Sequence, residues 1–387
     1  MIKTLTALTH EIDDPQLAVD EVAEQISPDK NLLTNSVGIL TCYSEYIDEG
    51  IVKALSDRFD FPIVGSTTLA NATKEDLGEH VLTLMVLTSD DIKFSTGLTD
   101  VIEAGSKEAI NAGYRRAMEG FDDKPELLFT FAPLSQVVGG DFMVSTLDDI
   151  SGGVPIFGTI TVDHNPDYKD AAVFLNGQIY NDRMIILLFH GDVNPKFVVA
   201  SISRDVIMRD KDVVTSSEGN QLKTVNGLSV VDYLTGLGMK KNEDGTIEGI
   251  NSIPFVVDYG DGSQPVIRIL FALTEDGSAV CGGDIPEGTK LSVGSINYDE
   301  VLNTTKEAVH TIKERGNKEA AVIFSCVGRY FALGFEPHAE MELITDQFPK
   351  DLPYILSYSG GEICPTYDEN GKLYNRFHND TFTACLL

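Results

Sequence analysis

Three stretches of the chain share one order of apolar and polar positions: an apolar run, a polar loop, an amphipathic stretch, then a second short apolar run ending in small residues. The first opens VGILTCYSEYIDEG at Val37 and closes FPIVGSTTLAN at Asn71. The second opens ELLFTFAPLSQVVGGD at Glu126 and closes VPIFGTITVD at Asp163; the third opens AAVIFSCVGRYFALG at Ala320 and closes LPYILSYSGGEI at Ile363. Each copy reads as one supersecondary unit. Strand, helix and strand at this spacing predict right-handed βαβ crossovers with parallel pairing. A proline (Pro62, Pro155, Pro353) opens each returning run, where a missing N–H costs least. Loops at the carboxyl ends of such strands collect on one rim, where open α/β sheets bind ligands. Each returning run ends on a polar side chain, Asn71, Asp163 or Glu362, which reads either as one geometry with differing chemistry or as turn and cap residues.

Between the repeats lie β-rich runs at 80–90, 171–180, 183–192, 196–204, 253–260 and 265–285, expected as antiparallel strands that extend the sheets. Asn176-Gly177 between two of them is a hairpin signal. Asp14 followed by Pro15 predicts the capped start of a helix. In 297–316 the residues Val301, Thr305, Ala308 and Ile312 fall on one helical face. The polar stretch 209–227, with the turn Glu218-Gly219-Asn220, predicts a domain boundary. The expected fold is α/β: two related domains, 1–218 and 219–387, built from repeated βαβ units with added antiparallel strands.

The chain's 387 residues fit two domains better than one, and 42% apolar residues can fill both cores. Acidic residues number 60 against 29 Lys and Arg, a formal charge of −31 that disfavours nucleic acid and anionic membrane. No run approaches 18 apolar residues, and the first residues lack the pattern of a signal peptide. Five scattered cysteines (42, 281, 326, 364, 385) form no CxxC pair, so reduced thiols in the cytoplasm are expected.

Phe324-Ser325-Cys326-x-x-Arg329, Gly361-Glu362-Ile363 and His378-Asn379-x-Thr381, in that order, resemble the carboxy-terminal domain of the FIST family. PIVGSTT and PIFGTITVD resemble two strand ends of the FIST amino-terminal domain, and DVVTSSEGNQLKTVNGLSVVDYL its junction with the second half. The resemblance covers about residues 30–387. It implies a sensory module that binds a small ligand such as an amino acid, with haem and nitric oxide sensing in a subset of the family. No signalling output segment is recognised, so a separate signalling partner is expected. Ala70-Asn71 and Gly158-Thr159 stand where Gly-Glu and Gly-Gly are typical of the family, so any amino-terminal pocket is expected to differ from that of its relatives.

The expected ligand-binding residues are Arg329, Glu362, Cys326, Tyr358, Ser359, His378, Asn379 and Asp163. Arg329, just past an apolar strand, suits a carboxylate held bidentately, or a structural role tying down a loop. Glu362 follows Gly360-Gly361 and could accept a ligand ammonium opposite Arg329, or form a salt bridge within the domain. Cys326 with His378 allows a thiolate–imidazole pair for catalysis, but no orienting group accompanies them, and a Cys after an apolar strand more often packs. Enzyme chemistry through Cys326 or paired carboxylates therefore ranks behind binding. His378 and His190 are the haem-ligand candidates, without a C-x-x-C-H motif; no cofactor is the primary expectation. Asp141 after Gly139-Gly140 reads as a helix N-cap. A homodimer through an exposed strand edge is a further expectation.

Overall fold

The computed structural model describes all residues of 1–387 except 104, 136, 137, 166, 208, 244, 245 and 317, and the side-chain surroundings of all the rest but 204 and 209–211. The second repeat's loop thus includes two positions, 136 and 137, outside the described residues.

The three repeats fold as three like units. In each, the leading and returning strands pair in parallel: Asn35–Cys42 with Ile63–Thr67, Leu127–Ala132 with Ile156–Ile160, and Ala321–Cys326 with Tyr354–Ser359. The three prolines stand just before the returning strands, and their carbonyls accept N–H bonds from Gly38, Leu128 and Ala321 at 2.8–3.0 Å. The crossover helices are Ile51–Arg58, Gly140–Ser151 and Ala339–Gln347. An antiparallel pair completes each unit: Lys3–Thr9 with Leu82–Ser89, Lys93–Leu98 with Ile185–His190, and Lys196–Ala200 with Phe382–Leu386. The helices Pro15–Ile26, Lys107–Ala117 and Tyr298–Glu314 follow the first strand of each unit.

Past its returning strand, each unit sends a hairpin into another unit's sheet. The first unit's Asn71–Ala72 joins Tyr354–Ser359 of the third, the second unit's Val173–Leu175 joins Ile63–Thr67 of the first, and the third unit's Glu362–Tyr367 joins Ile156–Ile160 of the second. This cyclic exchange yields three six-stranded sheets. Apolar side chains from all three leading strands, among them Ile39, Phe131 and Phe324, meet in one core. Phe324 lies stacked on Phe157, ring centroids 5.4 Å apart, and edge-on to Phe131 at 6.2 Å. The Asn176-Gly177 hairpin takes positive φ at both turn residues, 51° and 74°, as a type I′ turn requires.

The remaining strands depart from expectation. Those at 253–260 and 265–285 do not extend the repeat sheets. With Arg209–Glu218, Gln221–Val225 and Lys290–Val293 they form a nearly closed antiparallel sheet around a core of their own. This barrel is inserted into the third unit, between strand Lys196–Ala200 and helix Tyr298–Glu314. The chain is thus an α/β protein in which a three-unit body carries an inserted antiparallel barrel. The boundary expected at 218/219 falls in a barrel hairpin, where Glu218 pairs Gln221.

An ion pair, buried on its arginine side, ties barrel to body. Arg268 of the barrel, fully buried, donates to Asp141 (2.8 Å) and to the Phe377 carbonyl (3.0 Å) of the body. Asp141 also accepts the N–H of Asp284 (2.8 Å). The expected N-cap role of Asp141 is therefore replaced: Gly139 is the cap, and Asp141 is the second residue of the first turn, bonded to the barrel.

Candidate functional site

The rim loops meet as expected, but they pack solidly. Thr67 and Thr161 hydroxyls lie 2.8 Å apart, and Ser357 donates to Thr41 at 2.8 Å. The exchanged hairpins fill the space between the strand ends, so the hollow expected between Arg329 and Glu362 is closed. Both residues are fully buried.

Arg329 has a partner that sequence reasoning missed. Its guanidinium donates to Glu340 Oε1 (2.6 and 3.1 Å), to the Val301 carbonyl (3.0 Å), and to the hydroxyls of Thr304 (3.1 Å) and Thr305 (2.8 Å). Tyr358 and Ser325 hydroxyls donate to Glu340 Oε2, both at 2.8 Å. Burial pushes the Glu340 carboxyl up, but Arg329 and these donors hold it below the usual carboxylate range. Every strong acceptor near Arg329 is taken, so the guanidinium clamps helix Ala339–Gln347 to helix Tyr298–Glu314 instead of presenting a free fork to a ligand. A buried arginine demands a carboxylate, and Glu340, at the start of a short helix eleven residues on, was the available signal.

Ser359 and Glu362 do come together, the hydroxyl donating to Oε1 at 3.0 Å. Cys326 lies in the same cluster, its sulfur accepting backbone N–H groups of Gly328 and Asp380. Burial, then Glu362 and Asp380, push its thiol well up. A thiol held neutral is a poor nucleophile. Its expected partner is elsewhere: the His378 ring donates from Nε2 to the Cys364 carbonyl (2.9 Å), and burial pushes its pKa down to about 4. His190 Nε2 lies 2.8 Å from the Ser95 hydroxyl, its ring stacked 3.8 Å from that of Phe121. Asn379 donates to the Gly282 carbonyl of the barrel (3.3 Å). Asp163 organises its own loop, accepting from the N–H groups of Asn165 (2.9 Å) and Asp170 (2.6 Å).

None of these eight residues lines the cleft between body and barrel. That cleft has a volume of about 490 Å³. Strand Lys196–Ala200 and Pro365–Tyr367 supply apolar walls, helix Tyr298–Glu314 a floor through Thr304, Ala308 and Thr311, and the barrel closes it with Val256, Gln264 and Pro265. Ile202 and Ile207, in the link that enters the barrel, complete the wall. Glu307 and Arg315, eight residues apart on the helix side, place one negative and one positive group at the edge. The volume suits a small metabolite, and the lining mixes apolar and polar groups in nearly equal measure. Sequence periodicity gave the helix but not its facing wall, which comes from residues about 60 and 100 positions away.

Family models match most of the chain: a FIST N domain over residues 36–228 and a FIST C domain over 230–365. A comparison with curated proteins finds no match. Among solved structures, cyanuric acid hydrolase from A. caulinodans is 11% identical, with 53% of this chain and 74% of that one covered and a TM-score of 0.30. Phosphoribosylformylglycinamidine synthase II from Thermotoga maritima is 13% identical, with 100% and 72% covered and a TM-score of 0.21. At such scores neither bears on fold or activity.

Proposed function

The chain belongs to the FIST family, whose domains are sensory signal-transduction modules, and on that footing we propose that it is a sensor that reversibly binds an amino acid or similar small metabolite in the cleft between body and barrel. The observation that carries this reading is the make-up of the cleft wall. Body, barrel and the link between them all contribute to it, so a ligand seated there has a different affinity for each barrel position. That difference sets the largest signal the ligand can transmit. Arg315 offers a guanidinium to a ligand carboxylate and Glu307 a carboxylate to an ammonium, while the apolar walls take the side chain. The change in barrel position is read by a separate partner protein in the cytoplasm, and the sensor itself makes and breaks no covalent bond.

A thermal-shift screen against amino acids, organic acids and haem tests this. A ligand at a hundred times its Kd stabilises the folded state by about 2.7 kcal/mol, a shift such a screen reads easily. The hit is then repeated on Arg315→Ala, which is expected to lose most of the shift. An unchanged shift in that variant removes the cleft from the account.

A further inference from the structure

The three units provide an internal comparison at the end of each returning strand. In the first, the Thr68 hydroxyl donates to Asn71 Oδ1 (2.8 Å), and the Asn71 amide donates to the Val81 carbonyl (2.8 Å) just before the unit's last strand. Both ends of that side chain are satisfied. The third unit repeats half of this: the Ser359 hydroxyl donates to Glu362 Oε1. Its other oxygen, Oε2, has no partner, and neither has Oδ2 of Asp380. Both side chains are buried. The fold accepts strain to place the second carboxyl there. Asp380 has a left-handed backbone (φ 48°), and a Cβ on Gly328 would lie 1.9 Å from Asp380 Oδ1, so only glycine fits opposite it.

An ionised carboxylate only accepts hydrogen bonds, whereas a protonated one also donates. This cluster is rich in acceptors and short of donors. Among the described residues the groups that face it are few: the Cys326 thiol on the leading strand, Arg329 on the short helix Val327–Ala332, the Ser359 hydroxyl on the returning strand, and the Thr381 N–H just before the last strand. Arg329 is already committed to Glu340.

We propose that Glu362 and Asp380 form a proton-binding site in the third unit, filled in the resting fold and emptied as pH rises, so that the protein responds to protons as well as to its metabolite. Loss of the proton leaves unpaired charge where the returning strand, the exchanged hairpin and the last strand of the unit meet, and loosens that seam. The electrostatics agree: burial pushes Asp380 up to about 7 and Glu362 well above the usual range, each opposed by Arg329. A raised carboxyl stabilises the fold below its unfolded pKa of about 4, and that stability is lost as pH climbs through the folded value.

The test is the melting temperature without ligand between pH 6.5 and 9 for wild type, Asp380→Asn and Glu362→Gln, read as the difference from wild type at each pH so that the titration of His378, common to all three, cancels. The wild type is expected to lose stability across the window. The variants, whose amides supply the missing donors, are expected to melt higher than wild type at pH 9 and to show flatter profiles. Variants that track the wild-type slope overturn the proposal. Should neither variant fold, infrared titration of an Asp284→Asn protein, which lacks the other raised carboxyl among the described residues, decides. A protonated-carboxyl band that disappears over the same window supports the site, and its absence at pH 6.5 refutes it.

Discussion

Replacing Arg329 by Met separates a structural arginine from a ligand-binding one. The side chain and its partner Glu340 are both fully buried, joined at 2.6 Å, and between them hydrogen-bond five further residues, of which Thr305 bonds both. Removing one member of a buried pair leaves an uncompensated charge, at a cost of about 3–5 kcal/mol. Arg329→Met and Glu340→Leu should each lose that much, a large share of the 5–15 kcal/mol available to a typical fold. The double variant exchanges the pair for apolar volume and should lose much less than the sum of the two. Urea denaturation gives all three values, provided the slope stays constant. Single variants within about 0.5 kcal/mol of wild type, or losses that simply add, would show that the clamp is not there.

Three other outcomes follow. Asp141→Asn should speed amide exchange along the barrel–body seam while the three-unit body stays protected, since it weakens the anchor of Arg268. His378, held near pKa 4, favours the fold above its unfolded value near 6.5; that stability is lost as pH falls toward 4, about 3 kcal/mol in all, and His378→Gln should show a shallower acid limb in pH-dependent melts. Gly65→Ala should sharply lower the yield of folded protein, because its Cβ would lie 1.7 Å from the Leu40 carbonyl oxygen across the parallel pair.

Much of the architecture was legible from residue order. The three repeats, their prolines, the parallel pairs and the Asn176-Gly177 turn all depend on local periodicity or turn chemistry, which a single sequence carries. The exchanged hairpins were not legible, because strands such as Asn71–Ala72 choose partners almost 300 residues away. The barrel was missed for a similar reason: its short strands look like those that extend the repeat sheets, and only long-range pairing tells them apart. The same limit governed the site. Arg329 and Glu362 stood out as charged residues at strand ends, yet whether such groups face solvent or each other depends on what the neighbouring unit puts over them. Arg315, an ordinary basic residue at the end of a helix, gave no signal until the barrel was in place opposite it.

The central claim, that a small ligand binds between body and barrel, is tested most directly by titration calorimetry of the best stabilising metabolite against wild type and Thr311→Trp. The indole would occupy the cleft floor at a half-buried position. Binding to the wild type and none to a folded Thr311→Trp protein is the predicted result. Equal affinity and enthalpy in the two proteins would place the ligand elsewhere and contradict the account.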